Sequence, residues 1–426
     1  MRSLKADGCD VFVLGGGITG LSTAIVLQSV GLRVAILTQE TPRQAAGESP
    51  NPLVPTGYAM ASAYPHNLRV DNLPAISAAS QAVLAALHAD ADCGVQIYRM
   101  FEVYEDEPPA PPLADMRMHF RDFDGSPQQL KETLNPPIRP GVQHVWGWSF
   151  ETYFADMPIY MAFLWRLFKE RGGVLVSSRE KLQLADVLDA TAQAGGQPLV
   201  NCLGWGAKNF VDDCAPDVVM RGQQVLVGGA PMLYDTDNVP LCFNYTPTPE
   251  VFPRADGTAE YIHFFPRSDG WILGQTREPG QVDASGNWSG ETVTAPQITV
   301  GDQRVAAPIV TLNETLLESW KQLPSPGRHA MLGRTGYRYY RDPDNTGVRL
   351  EAQTIGSSSD TARLMVHNYG HGGSGITMGW GCALQAAKLL IAGGVKATNR
   401  GGDLKTGELS STALDQVFAQ QLSYFM

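Results

Sequence analysis

The sequence lacks the marks of several protein classes. Its six cysteines, at positions 9, 93, 202, 214, 242 and 382, form no Cys-x-x-Cys pair and no His/Cys spacing of a zinc site. They read as buried thiols in a reducing compartment, not as a disulfide framework or a metal site. The one apolar stretch that resembles a leader or anchor, Val11 to Val30, is interrupted by Gly15, Gly16, Gly17 and Gly20, and Asp10 precedes it. No small-residue cleavage site follows, so neither a signal sequence nor a membrane span is expected there. Basic charge is scarce: 32 Lys and Arg stand against 43 Asp and Glu, a net charge of -11. Coulomb repulsion then opposes nucleic acid and anionic membrane as partners, which leaves a small molecule as the expected ligand. No internal repeat is evident. The last residues, Ser423-Tyr424-Phe425-Met426, are not a peroxisomal Ser-Lys-Leu signal, and cytoplasmic residence is the expectation.

What is present is globular composition, with 43% hydrophobic and 18% charged residues across 426 positions. That length suits two domains, or one large domain carrying an insertion. Near the C-terminus the chain runs Val366-His367-Asn368-Tyr369-Gly370-His371-Gly372-Gly373-Ser374-Gly375-Ile376-Thr377. Its glycines let backbone amides approach a bound group closely, and the polar residues between them supply hydrogen bonds that aliphatic packing would not need. Such a loop suits a flat or charged group.

At the other end, Asp10 to Leu14 reads as a strand, Gly15 to Gly20 as a glycine turn, Leu21 to Val30 as a helix and Val34 to Leu37 as a second strand. This is a βαβ unit, the context in which Gly15-x-Gly17-x-x-Gly20 becomes a dinucleotide fingerprint. Gly15 permits the tight turn, Gly17 lets a pyrophosphate reach the backbone and Gly20 lets helix pack on strand. Ile18 and Thr19 lie within the turn and are counted with it as cofactor-binding residues, and the N-terminus of the following helix carries partial positive charge toward the phosphates. Glu40, with Gln39 as the neighbouring alternative, is placed to bind ribose hydroxyls. This loop alone does not separate flavin from nicotinamide.

Further along, Thr41 to Pro65 reads as a long loop and Ala75 to His88 as a helix. Prolines at 108–112 and 136–140 mark the following region as irregular and surface-exposed. Met157 to Arg171 reads as a helix, Val174 to Val176 and Pro198 to Leu203 as strands, and Gln223 to Trp288 as an antiparallel sheet. Within that sheet Tyr261 to Pro266 and Trp271 to Gly274 form a hairpin turning at Arg267 to Gly270. Helices are expected again over Val310 to Gln322 and Gly379 to Ile391, and the segment from Gly393 onward has no readable role.

On these residues the chain resembles the D-amino-acid oxidase (DAO) family of FAD-dependent enzymes. His367 to Gly373, continuing through Gly375-Ile376-Thr377 to Trp380-Gly381-Cys382-Ala383-Leu384, is similar to that family's C-terminal signature. Asn201-Cys202-Leu203-Gly204-Trp205-Gly206-Ala207, Arg221-Gly222-Gln223 and Gly336-Tyr337-Arg338 resemble further family elements, in the family's order. The resemblance implies an α/β fold, with a Rossmann-like FAD-binding domain of glutathione-reductase type and an antiparallel-sheet substrate domain. The expected division is a discontinuous FAD domain of residues 1–70, 155–225 and 350–400, a substrate domain of 71–154 and 226–349, and a tail of 401–426.

The resemblance also implies roles. Gly15, Gly17 and Gly20 would hold the FAD pyrophosphate, Glu40 the ribose, and Lys181 would sit near the adenine through its main chain. Gly204 would pass close to the cofactor, Ala61 and Ser62 would belong to a flavin-facing loop, and Gly372, Gly373, Ser374, Gly375, Ile376 and Thr377 would lie along the isoalloxazine ring. Arg338 would grip the substrate carboxylate through two parallel hydrogen bonds, and Gly373 would offer its carbonyl to the substrate amine. The chain departs from the pattern at His263, where the family carries a substrate-side tyrosine, at Tyr339, where it carries proline, and at Ser374, where some members carry tyrosine. A histidine at 263 can hydrogen-bond a substrate or simply line a strand.

The activity implied is oxidation of an amino acid, a D-amino acid first, with hydride passing from Cα to flavin N5 and electrons then to oxygen or another acceptor. The alternatives are an oxidase of glycine, sarcosine or another secondary amine, a dehydrogenase on the same fold, and a flavoprotein without catalysis. The oligomeric state is open, a homodimer among the compatible assemblies.

Overall fold

The computed structural model describes residues 8–40, 51–64, 69–111, 117–178, 183–193, 196–325, 327, 330–356, 362–396 and 410–423. Two sheets organise them. The first has six strands in the order Arg349–Ile355, Arg363–Tyr369, Leu199–Asn201, Val11–Leu14, Val34–Thr38 and Val174–Ser177. All neighbours are parallel except the first pair. Val11 to Leu14 and Val34 to Thr38 are buried on both faces, and this is why they read as unbroken apolar runs instead of alternating ones.

The helix Ile18–Ser29 is buried almost all round. It packs against Gly375–Ala392 and Met157–Glu170, so its apolar residues have no solvent face to avoid. Gly375–Ala392 is long and apolar enough to span a bilayer, but 67% of it is buried inside the protein. Ile376, Trp380, Ala383, Leu384 and Ala387 on it belong to the same core as the first strand and helix. Leu73–His88 also packs on this helix. So does the helix Ser410–Ser423, in the segment that the sequence left without a role. Its Phe418 is fully buried with the ring 5.6 Å from Trp380, and Asp415 pairs with Arg171 at 2.8 Å.

The second sheet has ten strands and is mostly antiparallel. The expected hairpin is present as Ile262–Arg267 and Gly270–Gly274, and Arg267 closes it with paired hydrogen bonds from Nε and Nη2 to Asp269. The region after residue 88 corrects the sequence reading. It contains three strands, Val95–Tyr104, Met118–Gly125 and Val145–Ala155, the first and third paired along their whole length. Phe101, Phe150 and Phe154 on them are buried. The prolines at 108–111 and 136–140 fall between the strands, where a residue without an N–H breaks no ladder bond. Proline there marks the ends of strands and says nothing of the strands themselves.

Both C-terminal helices begin earlier than apolar spacing suggests, at Ala307 and Gly375. In the second case the glycines of the signature hide the first turn from any pattern based on hydrophobic periodicity.

Candidate active site

One cavity of about 580 Å³ runs from the Gly15 turn, between the two sheets, to the strand Met331–Arg341. Its nucleotide end is built from backbone. Gly15 has φ +104°, and a Cβ there would stand 2.5 Å from the Cys202 carbonyl oxygen. A Cβ on Gly20 would collide with the Gly15 carbonyl, so the close approach of helix and turn depends on both glycines. The helix Ile18–Ser29 has glycine, Gly17, at its N-cap and no acidic residue in its first turn, which leaves its positive end toward the cavity. Two nearby amides have partners: Gly16 N–H donates to Thr38 Oγ1 at 3.0 Å and Ile18 N–H to Thr56 Oγ1 at 3.2 Å. Gln39 and Glu40 line the cavity at the end of the second strand. Asn51 Nδ2 donates to Glu40 Oε2 at 2.8 Å and so fixes the carboxylate.

Of the residues expected at the cofactor, Gly15, Gly17, Ile18, Thr19, Gln39, Glu40, Ala61, Ser62, Gly204, Gly372, Gly373, Gly375 and Ile376 line this cavity. Gly20, Ser374 and Thr377 stand just behind its wall, and Thr377 is buried in the first turn of its helix. Lys181 lies outside the described residues, as does residue range 41–50 of the long loop. Ala61 holds φ +62°, and its segment pairs with Val145–Ala155 through Ala63 N–H to Tyr153 O and Ala155 N–H to Ala61 O.

The far end is built from side chains on separate strands. Arg338 Nη1 donates to Gln275 Oε1 at 2.7 Å and Nη2 to the Thr276 carbonyl at 3.0 Å. Both acceptors are neutral, and no ion pair to Arg338 occurs among the described residues, so its positive charge remains available to a ligand. Gln275 in turn donates to Tyr261 Oη. Gly373 lies beside the guanidinium stem: a Cβ there would be 3.5 Å from Arg338 Cδ.

His263 lines the cavity with 1% exposure, and its Nε2 has no hydrogen-bond partner among the described residues. Burial, and then the charge of Arg338, push its pKa well below the usual histidine range, so the ring is neutral. A Cβ on Gly274 would collide with that ring, and glycine is what makes room for it. His371 is likewise buried, with its pKa lowered to about 4 by burial and its Nε2 unpartnered.

His367, Asn368 and Tyr369 of the C-terminal signature tie it to the fold: His367 Nε2 meets Gln353 Oε1 at 3.0 Å, Asn368 Nδ2 donates to Thr23 Oγ1 at 3.1 Å and Tyr369 Oη donates to Asp213 at 2.6 Å. Asn368 and Tyr369 also line the cavity, together with Gly370 to Gly373. Sequence reasoning missed Gln275, Tyr261, Asn51 and Thr56. None falls in a contiguous motif, and only the pairing of strands and the fold of the loop bring them to the site.

The cavity suits a long dinucleotide: a glycine cradle that any side chain would fill, a helix N-terminus and a fixed carboxylate follow one another along it. Comparison with known proteins agrees. The family model for FAD-dependent oxidoreductases of the DAO type matches residues 10–389. The chain is similar to a D-amino-acid oxidase of Rubrobacter xylanophilus, 28% identical over 385 residues that cover 89% of this chain and 95% of the relative. It is 29% identical to one of Streptomyces coelicolor over 393 residues, 90% of this chain and 97% of that protein. Among solved structures, the glycine oxidase of Bacillus cereus superposes with a TM-score of 0.58 at 14% identity, covering 90% of this chain and 97% of that one. The nucleotide cradle and the arginine-bearing strand both fall within the matched residues 10–389, and the chain belongs to the DAO family of FAD-dependent oxidoreductases.

Proposed function

We propose that the protein oxidises a D-amino acid at Cα to the imino acid, which water hydrolyses to a 2-oxo acid and ammonia, with O2 reduced to H2O2. The observation that carries this reading is Arg338, a guanidinium oriented by Gln275 and Thr276 in the cavity with no carboxylate paired to it among the described residues. Fixed in this way, it binds the substrate carboxylate at little ordering cost. The names of the two curated relatives support the D-configuration.

Gly15, Gly17 and the first turn of Ile18–Ser29 would hold the FAD pyrophosphate, Glu40 the ribose and Gly372 to Ile376 the ring. Bound FAD supplies the two-electron acceptor. The chain's own contribution is placement. Arg338 fixes one end of the amino acid and the Gly373 carbonyl accepts a hydrogen bond from its amine, which together set the direction of Cα–H. His263, neutral and lining the same cavity, offers a further acceptor for an amine N–H and so helps to orient it. The buried side chains of Phe265 and Ile376 in the cavity wall keep water from the reacting carbon.

The test is anaerobic bleaching of the flavin. D-alanine should reduce it, while L-alanine and sarcosine should not, and in air peroxide should appear in step with 2-oxo acid. Reduction by sarcosine and not by D-alanine would overturn the reading in favour of a secondary-amine oxidase; reduction without peroxide would make the protein a dehydrogenase.

A further inference from the structure

Beside the reaction cavity lies a second compartment of about 230 Å³, and the two share Arg277, Arg338, Tyr340, Gly370 and His371 in their walls. Five arginines line it: Arg69, Arg254, Arg277, Arg338 and Arg341. No aspartate or glutamate is among the described residues that do. In a chain of net charge -11 this concentration of one sign is the reverse of the background.

Two of the five are neutralised from behind. Arg277 Nε pairs with the fully buried Glu260 at 2.9 Å while its guanidinium stacks 4.4 Å over the Tyr261 ring. Arg341 pairs with Asp213 at 2.6 Å. The other side is less compensated. Among the described residues the carboxylate that pairs with Arg254 is Asp256, at 3.5 Å and 52% exposed; Arg69 donates to the backbone carbonyl of Asp344. His371, buried and with no partner for Nε2 among the described residues, adds a neutral polar group to the same wall. Walls lined by one sign of charge concentrate counter-charge, so an anion is the favoured occupant of this compartment.

We infer that this compartment binds a second negative group of the substrate, so that the preferred amino acid carries an anionic side chain, its α-carboxylate on Arg338 and its distal anion among Arg277, Arg254 and Arg69. The inference rests on the amino-acid oxidation proposed above. It adds to that reading a site on the far side of the shared wall, which Arg254 and Arg69 line without lining the reaction cavity.

The test compares each acid with its neutral near-isostere on the flavin-loaded protein: D-aspartate with D-asparagine, and D-glutamate with D-glutamine. The better acid is expected to exceed its amide by roughly tenfold or more in kcat/KM, as a charge-assisted pair would give, and the ratio to shrink as salt is raised. Arg277→Gln would strand the buried Glu260 and can fail to fold. Arg254→Gln, at a loop position with a weak partner, is therefore the variant of choice, and it is expected to lower the acid-to-amide ratio by about threefold or more.

Neutral D-amino acids reducing the flavin as efficiently as acids would overturn the inference while leaving the proposed function intact, and so would an unchanged ratio in Arg254→Gln. Should no D-amino acid reduce the flavin, the proposed reaction fails, and the compartment is judged by binding alone. Glutarate perturbing the flavin spectrum at roughly tenfold lower concentration than butyrate, with the difference diminished in Arg254→Gln, supports it; equal binding overturns it.

Discussion

The two ends of the main cavity are made from different material. At the Gly15 end the cradle is chiefly main chain from one short segment, with Glu40 as its side-chain contribution, and its main requirements are a positive φ and a missing Cβ. At the Arg338 end they are side chains from strands far apart in the chain, joined by a relay from Tyr261 through Gln275 to the guanidinium. A backbone site tolerates almost no substitution but recognises only what is common to all dinucleotides. A side-chain site can change one residue at a time, and specificity is expected to diverge there.

The contrast can be broken by experiment, most severely at the backbone end. Gly15→Val places a branched side chain at φ +104° against the Cys202 carbonyl, and the purified protein should carry essentially no flavin, read from the ratio of flavin to protein absorbance. A variant that retains flavin would show that the cradle does not depend on this turn. Next in size, Arg338→Ala should raise the KM of an amino-acid substrate at least about tenfold while flavin content stays normal, since a charge-assisted pair is worth roughly 1.5 to 3 kcal/mol. An unchanged KM would remove Arg338 from the role of carboxylate clamp.

A third test uses pH. His371 and His367 both have pKa values lowered to about 4, chiefly by burial. The unfolded chain, with histidines near 6.5, binds protons that the folded chain refuses, so stability is complete above that value and declines as pH falls toward 4. Thermal melts should show Tm falling through this window. His371→Asn, which replaces the titrating ring beside the substrate end, should flatten part of that slope; a flat profile in the parent protein would contradict the buried, neutral state of these rings. The smallest effect is expected from Asn51→Ala, which releases Glu40 from one exposed hydrogen bond. FAD affinity should weaken by roughly twofold to tenfold, as titration of the apoprotein would report.

The same contrast explains what could be read in the sequence. The strand, turn and helix from Val11 to Ser29 were legible because one short segment contains both the fold and the site. Arg338 and Gly373 were singled out through motif resemblance and His263 as a departure from it, and all three line one cavity. Gln275, Tyr261 and Asn51 were not found: a glutamine in a strand carries no signal until pairing sets it against an arginine. The strands between 95 and 155 were hidden by prolines that lie outside them, and the helix of residues 410–423 by the absence of any motif, although Phe418 seals the core against Trp380. Five arginines scattered from 69 to 341 were equally invisible as a group, because only the fold gathers them around one compartment.

The order of strands in the six-stranded sheet has a consequence for how the chain is made. The strand Val11–Leu14, which carries the glycine turn, is flanked by Val34–Thr38 and by Leu199–Asn201, and the latter is flanked in turn by Arg363–Tyr369. A nascent chain therefore exposes a hydrophobic strand edge from the time Val34–Thr38 is made until Leu199–Asn201 follows, and a second edge until Arg363–Tyr369 is made. Pairings so remote in sequence are slow to form, and the open edges are sites of misassociation meanwhile. Expression at low temperature, with chaperones and flavin in excess, should raise the soluble yield more than any change to the exposed surface of the finished protein.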